Sequence, residues 1–396
     1  MTIRRARIED KDSLGKLARY SFNPPEWIRE IIDSTFSQFH DQFYLVEDDG
    51  RPIARARMIP FEQNIRGVWK RMGGIASVSS APETRRKGHI RDLMIFLLKE
   101  MHESDIPFTT LYPFKEEFYA RFGYVPSQPK MMFQIKADTL RLWDVPEDYT
   151  VLRIPLKDGF EYAKKIYSDS IDSIHGSVKR GDEIWREYLA IENEYAFVLK
   201  GSEPLAYMRY RIEGFGSFSG GDRDGRLFCS EMHWSDIEAR NALLNYMYGH
   251  VDQVVTVKVP VAPINQDYWH WTKRFNIGDT KIEATGVHMA RIVDVVSCLS
   301  DIPVSGTDSI TVEVKDAICD WNNAIYELTS DGTHLNAKTS DTKEVDARIT
   351  IEGLTSLVYG TGSVETLVAT KWLTGTKLDV LGRWFEPRLP WLTVDF

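Results

Sequence analysis

Val78-Ser79-Ser80-Ala81-Pro82-Glu83-Thr84-Arg85-Arg86-Lys87-Gly88-His89-Ile90-Arg91 is the sharpest local signal in the chain. A strand runs out, a basic glycine-containing loop follows, and a helix opens over Gly88–Glu103. Ile90, Leu93, Met94, Leu97, Leu98 and Met101 stand at helical spacing there. The first N–H groups of a helix have no partners within it, and its dipole favours negative charge at that end. Arg85, Arg86 and Lys87 add positive charge, and Gly88 lets the backbone come close to a ligand. Together they make a cradle suited to a pyrophosphate. Neither Gly-Lys-Ser/Thr nor GxGxxG is present, which excludes a Walker loop and a Rossmann fingerprint. The bland alternative is a solvated basic helix start.

Outward from this loop, the first 135 residues read as mixed α/β. A strand at Ile3–Ala6 precedes helices near Asp10–Tyr20 and Glu26–Phe36, interrupted by Asn23-Pro24-Pro25. Phe43–Glu47 and Ile53–Pro60 flank Asp49-Gly50, a hairpin signal. Val68–Ser79 leads into the loop; Phe108–Tyr112, Lys115–Phe122 and Met131–Lys136 follow as strand, helix and strand. Residues 140–290 repeat the pattern in degenerate form. They contain helices at Phe160–Ser168 and Asp182–Ile191, a hairpin of Tyr195–Leu199 with Leu205–Ile212, and a glycine-rich stretch at Gly214–Gly225. The capping box Ser235-Asp236-Ile237-Glu238 then opens a helix, and Gln253–Val259 is a strand. From 291 the pattern becomes α+β, with strands at Ser309–Val314, Ala324–Leu328 and Ala347–Ile351. Helices are predicted at Thr355–Tyr359, Glu365–Trp372 and Lys377–Trp384. The domains expected are 1–140, 141–290 and 291–396. The final Trp391-Leu392-Thr393-Val394-Asp395-Phe396 is apolar and aromatic, which points to a docked end rather than a frayed one.

The chain of 396 residues is 43% hydrophobic and 27% charged, a globular balance with room for a large core. Its net charge of -9 argues against nonspecific nucleic-acid binding and is compatible with a cationic substrate. Three cysteines, Cys229, Cys298 and Cys319, form no CxxC and no disulfide framework; they read as small buried apolar residues. Nine histidines give no HExxH, so no metal site is expected. The first residues lack the apolar core of a secretory signal, and no apolar run approaches the ~20 residues of a membrane span. A cytoplasmic protein without a membrane partner is the expectation.

Arg85-Arg86-Lys87-Gly88-His89-Ile90 resembles the R/Q-x-x-G-x-G/A pyrophosphate motif of GNAT N-acetyltransferases, with Ile90 where that superfamily prefers Gly or Ala. The same departure resembles the enhanced intracellular survival (Eis) acetyltransferases. So do Ala81-Pro82-x-x-Arg-Arg and Phe118-Tyr119-Ala120-Arg121-Phe122-Gly123-Tyr124, together with the three-part layout and the aromatic end. The resemblance implies an α/β (α+β) fold of tandem GNAT-like domains, the second degenerate, then a sterol-carrier-protein-like α+β domain. It also implies assembly as a hexamer and transfer of acetyl from acetyl-CoA to amines such as aminoglycosides and lysine side chains. By the same resemblance, the backbone of Val78, Ser79 and Ser80 would hold the thioester and pantetheine arm. Residues Arg85, Arg86, Lys87, Gly88, His89, Ile90 and Arg91 would form the pyrophosphate site. Phe114 and Lys115 would lie beside the thiol, with Phe114 where the family often has a small polar residue. Tyr119 would be the general acid and the Phe396 carboxylate the general base.

The chemistry is demanding. A lysine-like amine with a pKa near 10.4 is only ~0.04% neutral at pH 7, so holding it neutral costs about 4.6 kcal/mol. An α-carboxyl near 3.5 is a poor base, but desolvation by Trp391, Leu392 and Phe396 and the like charge of Asp395 both raise it. A tyrosine phenol can supply the leaving thiolate's proton. Tyr124 competes with Tyr119 for that role, and a core tyrosine with a satisfied hydroxyl is the commoner fate of either; the Tyr-x-x-x-Gly spacing favours Tyr119. Phe22, Trp27, Phe36 and Phe39, with Asp33 and Asp41, lie where this fold builds its acceptor pocket, although any one aromatic is as readily core. Asp395 is the stronger acceptor candidate because it neighbours the base. Two other classes compete: a lipid- or ligand-binding protein with relic GNAT domains, and a structural oligomer.

Overall fold

The computed structural model describes residues 1–214, 225–262, 267–274, 276 and 278–396. The side chains of Trp27, Gln128 and Thr285, and most of the glycine-rich stretch at 214–225, lie outside the described set.

In chain order the first elements are β1 (Thr2–Arg5), α1 (Lys11–Phe22), α2 (Glu26–Phe39), β2 (Phe43–Asp48), β3 (Arg51–Ile65), β4 (Val68–Ser80), α3 (His89–Glu103), β5 (Phe108–Leu111), α4 (Glu116–Ala120) and β6 (Val125–Lys136). Next come β7 (Tyr149–Arg153), α5 (Phe160–Ile171), α6 (Asp182–Ala190), β8 (Glu194–Lys200), β9 (Glu203–Glu213), β10 (Arg226–Trp234), α7 (Ile237–Tyr248), β11 (Thr256–Pro260) and β12 (Thr280–Ile292). The last are α8 (Val295–Leu299), β13 (Pro303–Gly306), β14 (Ser309–Lys315), β15 (Ile325–Ser330), β16 (Gly332–Ser340), β17 (Ala347–Thr350), α9 (Ile351–Val358), α10 (Val364–Ala369), β18 (Leu373–Gly375) and α11 (Leu378–Trp384).

Two compact units divide these elements. One comprises Met1–Gln128, His175–Ile184 and Val287–Phe396; the other comprises Pro129–Ile174 and Trp185–Gly286. In the first, the strands run β1-β2-β3-β4-β5 and close on Met289–Ile292 of β12. Neighbours are antiparallel except β4 and β5, which are parallel across the α3 connection. Asn23 ends α1 in the left-handed region (φ 42°), and Pro24-Pro25 bar its continuation. Asp49 and Gly50, both at positive φ, make the β2–β3 turn the sequence signals. Leu93, Met94, Leu97, Leu98 and Met101 of α3 are buried, as their spacing requires, against Tyr44, Ala54, Met58, Ile75, Tyr119 and Tyr124.

The same unit contains a second sheet, ordered β13-β16-β15-β14-β17-β18. Here α9 opens at Ile351 rather than at the predicted Thr355. Thr350 supplies the cap, its hydroxyl accepting the Gly353 N–H at 3.2 Å.

The other unit repeats the first sheet's scheme in the order β6-β11-β10-β9-β8-β7. Its parallel pair, β10–β11, is joined through α7 as β4–β5 is through α3. The predicted capping box is corrected by one residue: Asp236, not Ser235, caps α7, its carboxylate accepting the Ala239 N–H at 2.6 Å.

Candidate functional site

The site grows from an irregularity in β4. Arg55 pairs with Ser79 and Arg57 with Ala76, so Ser77 and Val78 together oppose the single residue Ala56. This is a β-bulge, and Ser77 takes its left-handed conformation (φ 53°). The β4–β5 register runs only from Met72↔Phe108 to Ile75↔Leu111, whereas β4 continues to Ser80. The strands therefore part at Ile75, and beyond it β4 keeps its ladder with β3 but has no β5 residue opposite.

The loop beyond β4 forms the cradle. Arg86 (φ 63°) and Gly88 (φ 91°) are both left-handed, so the loop turns sharply just before α3. Gly88 is also the N-cap of α3, and no side chain caps that end. A Cβ at Gly88 would meet nothing within 4 Å, so glycine is required there for its backbone angle and not for space. Arg85, Arg86, Lys87 and Arg91 are exposed around it, and Arg85 Nε donates to the Ser80 carbonyl at 3.4 Å. His89 and Ile90 are half-buried, and the His89 Nδ1 has no partner among the described residues. Val78 and Ile90 pack against the α3 core, Ser79 is buried, and Ser80 is half-buried.

Tyr119, on α4, is 2% exposed. Its ring makes edge contacts with Phe114, Phe118 and Tyr124, at 5.5, 5.1 and 6.1 Å between centroids. Burial, with a lesser contribution from Tyr124, pushes its phenol well above the usual value. Among the described residues, the Tyr119 hydroxyl has no hydrogen-bond partner. The Tyr124 hydroxyl, in contrast, lies 3.1 Å from Thr109 Oγ1, which itself donates to the Gly73 carbonyl at 2.8 Å. Thr109 can therefore only accept, and the Tyr124 proton is committed to it. Phe114 is exposed, and Lys115 pairs with Glu117 at 3.4 Å.

Phe396 comes to the same strand. Its ring lies 5.0 Å from that of Phe61, and a Cβ built on Gly74 would stand 2.8 Å from it. Gly74 immediately precedes the point where β4 and β5 part. Asp395 is exposed, 3.9 Å from His288 Nε2. The predicted acceptor residues are spread out. Phe22 is exposed, Asp33 pairs with Arg19 at 3.0 Å, and Phe36 (3% exposed) is packed with Ala6, Leu14, Phe43 and Leu45. Phe36 is thus a core residue under α1 and α2.

Comparison with known proteins accords with this geometry. Residues 2–127 and 176–292 match two acetyltransferase (GNAT) domain families, and 295–393 match the sterol carrier protein domain family. The chain is a GNAT N-acetyltransferase with the Eis-like fold. An uncharacterized N-acetyltransferase of Streptomyces coelicolor is 22% identical over 290 residues, 69% of this chain and 68% of that one. A second, from Streptomyces avermitilis, is 22% identical over 309 residues, 75% and 74% of the two chains. Among solved structures, a GCN5-related N-acetyltransferase from Anabaena variabilis (20% identity, TM-score 0.88) and Eis1 from Mycobacterium abscessus (17%, 0.82) superpose over the full length of both chains.

In this GNAT enzyme the second acetyltransferase domain has no such cradle among the described residues between β10 and α7. Only Ser235 and Asp236 separate β10 from α7, and the Asp236 carboxylate already takes the N–H that an anion would seek. Sequence reasoning missed two other groups. On β3, Arg57 (5% exposed) pairs with Glu183 (7%) at 3.3 Å, and Gln42 bridges them at 2.9 and 2.7 Å. Arg55, on the same face of β3, donates to the Leu14 carbonyl; burial and Arg57 lower its pKa to about 10. The second group surrounds His175, which joins Arg66, Tyr359 and Trp391. No local signal marks either set, because the Arg57–Glu183 contact spans 126 positions. No helix among the described residues is long and apolar enough to cross a membrane, and no three His, Cys, Asp or Glu side chains among them gather as metal ligands would.

Proposed function

We propose that the protein transfers acetyl from acetyl-CoA to a primary amine of a cationic acceptor, of the aminoglycoside, polyamine or lysine class, by direct attack. The observation that carries this reading is the Phe396 ring seated on Gly74, beside the parting of β4 and β5 that also leaves Val78 with no β5 residue opposite. Arg85, Arg86, Lys87, Gly88, His89, Ile90 and Arg91 hold the pyrophosphate, through left-handed turns at Arg86 and Gly88 and an uncapped helix end. The backbone of Val78, Ser79 and Ser80 binds the pantetheine arm and polarises the thioester carbonyl. Phe114 and Lys115 flank the thiol. The Phe396 carboxylate takes the proton from the attacking amine as the C–N bond forms. Tyr119, held protonated by burial, gives its proton to the sulfur as the C–S bond breaks. Phe22, Trp27 and Asp395 receive the acceptor, and Phe36 serves from the core of α1 and α2.

This reading retains functional domains at 1–140, 141–290 and 291–396, a cytoplasmic setting and a hexamer like that of the family it resembles. The test compares the full chain with a chain lacking Phe396, following thiol release from acetyl-CoA with spermidine, an aminoglycoside or a lysine peptide. Amine-dependent release by the full chain is expected, with a loss of roughly 10²-fold or more on deletion and unchanged CoA affinity by calorimetry. Absence of release with every amine refutes the transferase reading. Full activity in the shortened chain removes the carboxylate from the mechanism.

A further inference from the structure

Residues 390–396 are held by a segment the transfer chemistry does not itself use. From Gly176 to Lys179 the chain lies antiparallel along β3. The Gly176 N–H donates to the Asn64 carbonyl (2.7 Å), the Asn64 N–H to the Ser177 carbonyl (2.8 Å) and the Lys179 N–H to the Glu62 carbonyl (2.9 Å). Gln63 and Val178 form the bridge between them. The segment is thus a short extra strand, placed where β3 extends beyond the end of its pairing with β2 at Arg57.

It also carries the tail. The Trp391 N–H donates to the His175 carbonyl at 2.7 Å, the Val178 N–H to Thr393 Oγ1 at 3.2 Å, and Arg180 Nη2 to the Thr393 carbonyl at 3.0 Å. Gly176 (φ 88°) lies so close that a Cβ there would stand 2.5 Å from Pro390 and 2.7 Å from the Trp391 nitrogen. Val394, next along, is buried at 1% exposure. Three residues beyond the last tether at Thr393, the Phe396 ring reaches Phe61 and Gly74. A chain of this apolar character could lie on a sheet face in several registers. Backbone and side-chain tethers to one rigid strand select one of them.

We propose that His175–Arg180 is a positioning clamp for catalysis, with Arg180 and Thr393 as its adjustable contacts, and that it fixes where Phe396 meets the acetyl group. The clamp rests on the reading of Phe396 as the base. In this role His175–Arg180 acts through the tail it holds and not on the reacting atoms.

The test uses the full chain with Thr393→Val, Thr393→Ser, Arg180→Met and the Thr393→Val/Arg180→Met double variant. Steady-state kinetics is measured beside the Phe396-deleted chain, and thermal melting reports folding. Thr393→Val keeps the shape and removes the acceptor of the Val178 N–H, while Arg180→Met keeps the aliphatic stem and removes the donor. The expected result is a kcat about tenfold lower in each single variant and lower still in the double, with both KM values within about twofold of the parent. Thr393→Ser, which keeps the hydroxyl, is expected to restore kcat. Parental kcat in the double variant, with the Phe396-deleted chain inactive, overturns the clamp and leaves the base assignment standing. Parental kcat in both overturns the base assignment, and the clamp with it. A fall in melting temperature that tracks kcat and is not rescued by Thr393→Ser also overturns it, since the tethers would then be structural only.

Discussion

Tyr119 and Tyr124 project into one aromatic cluster, yet only one has a proton to give. The Tyr124 hydrogen is spent on Thr109, whereas the Tyr119 hydroxyl has no partner among the described residues. Tyr119→Phe is therefore expected to lower kcat by roughly 10²–10⁴-fold with little change in CoA affinity. Tyr124→Phe should instead cost about 1 kcal/mol of stability by denaturant titration and spare most of the rate. Equal kinetic losses in the two would void the distinction. The spacing to Gly123 already favours Tyr119, but the reason for it is a hydroxyl network that no local pattern displays. Buried arginines were illegible for a related reason. Arg55 and Arg57 alternate with apolar residues, as any half-exposed strand would, and only the packing of Leu14, Gln42 and Glu183 against them reveals a buried face.

Among the elements, β4 does most to shape the site. Its bulge, its divergence from β5 and its contact with Phe396 fall within seven residues, Gly74–Ser80. Gly74→Val places a side chain where the Phe61 and Phe396 rings already stand, at 2.7 and 2.8 Å from the new Cβ. The expected outcome is displacement of the terminal ring and a kcat roughly 10²-fold lower, with CoA affinity little changed. Calorimetry beside turnover measurements would detect the split, and loss of CoA binding would point to a collapsed β4 instead. The strand, the loop and α3 were legible because periodicity and charge are local properties. The bulge was not, since Ser77 carries no glycine to announce a positive φ. Helix ends in the last hundred residues were displaced where a threonine cap outweighed the apolar pattern, as at Thr350.

At the level of the whole molecule, His175 ties distant stretches together. Its Nδ1 accepts the Arg66 N–H at 3.0 Å, so Nε2 carries the proton and donates to the Tyr359 carbonyl at 3.1 Å. Burial, reinforced by the positive charges of Arg66 and Arg388, lowers its pKa from 6.5 to about 4. The folded state therefore holds the ring neutral while the unfolded chain protonates near 6.5. The contribution to stability is complete above pH 6.5 and is lost as pH falls toward 4, by roughly 3 kcal/mol at most. Urea titrations between pH 7 and 4 should show that slope, and His175→Gln should flatten it; an unchanged slope would assign the acid sensitivity elsewhere. Composition and layout reveal the tandem scheme and the final α+β sheet, because each repeats a recognisable order of elements. That His175–Ile184 belongs with the first and last stretches was not readable, since its partners, backbone and side-chain groups alike, lie more than a hundred positions away.

That discontinuity bears on biosynthesis. About 160 residues separate Gln128 from Val287, and ribosomes add roughly 5–20 residues per second. A nascent chain would thus carry its amino-terminal sheet for roughly 8–30 s before the stretch beginning at Val287 is made, and longer still before Phe396, whose ring covers Gly74 and Phe61, is added. During that interval the apolar surface of Phe61 lies bare to water, and a chaperone has its opportunity to bind.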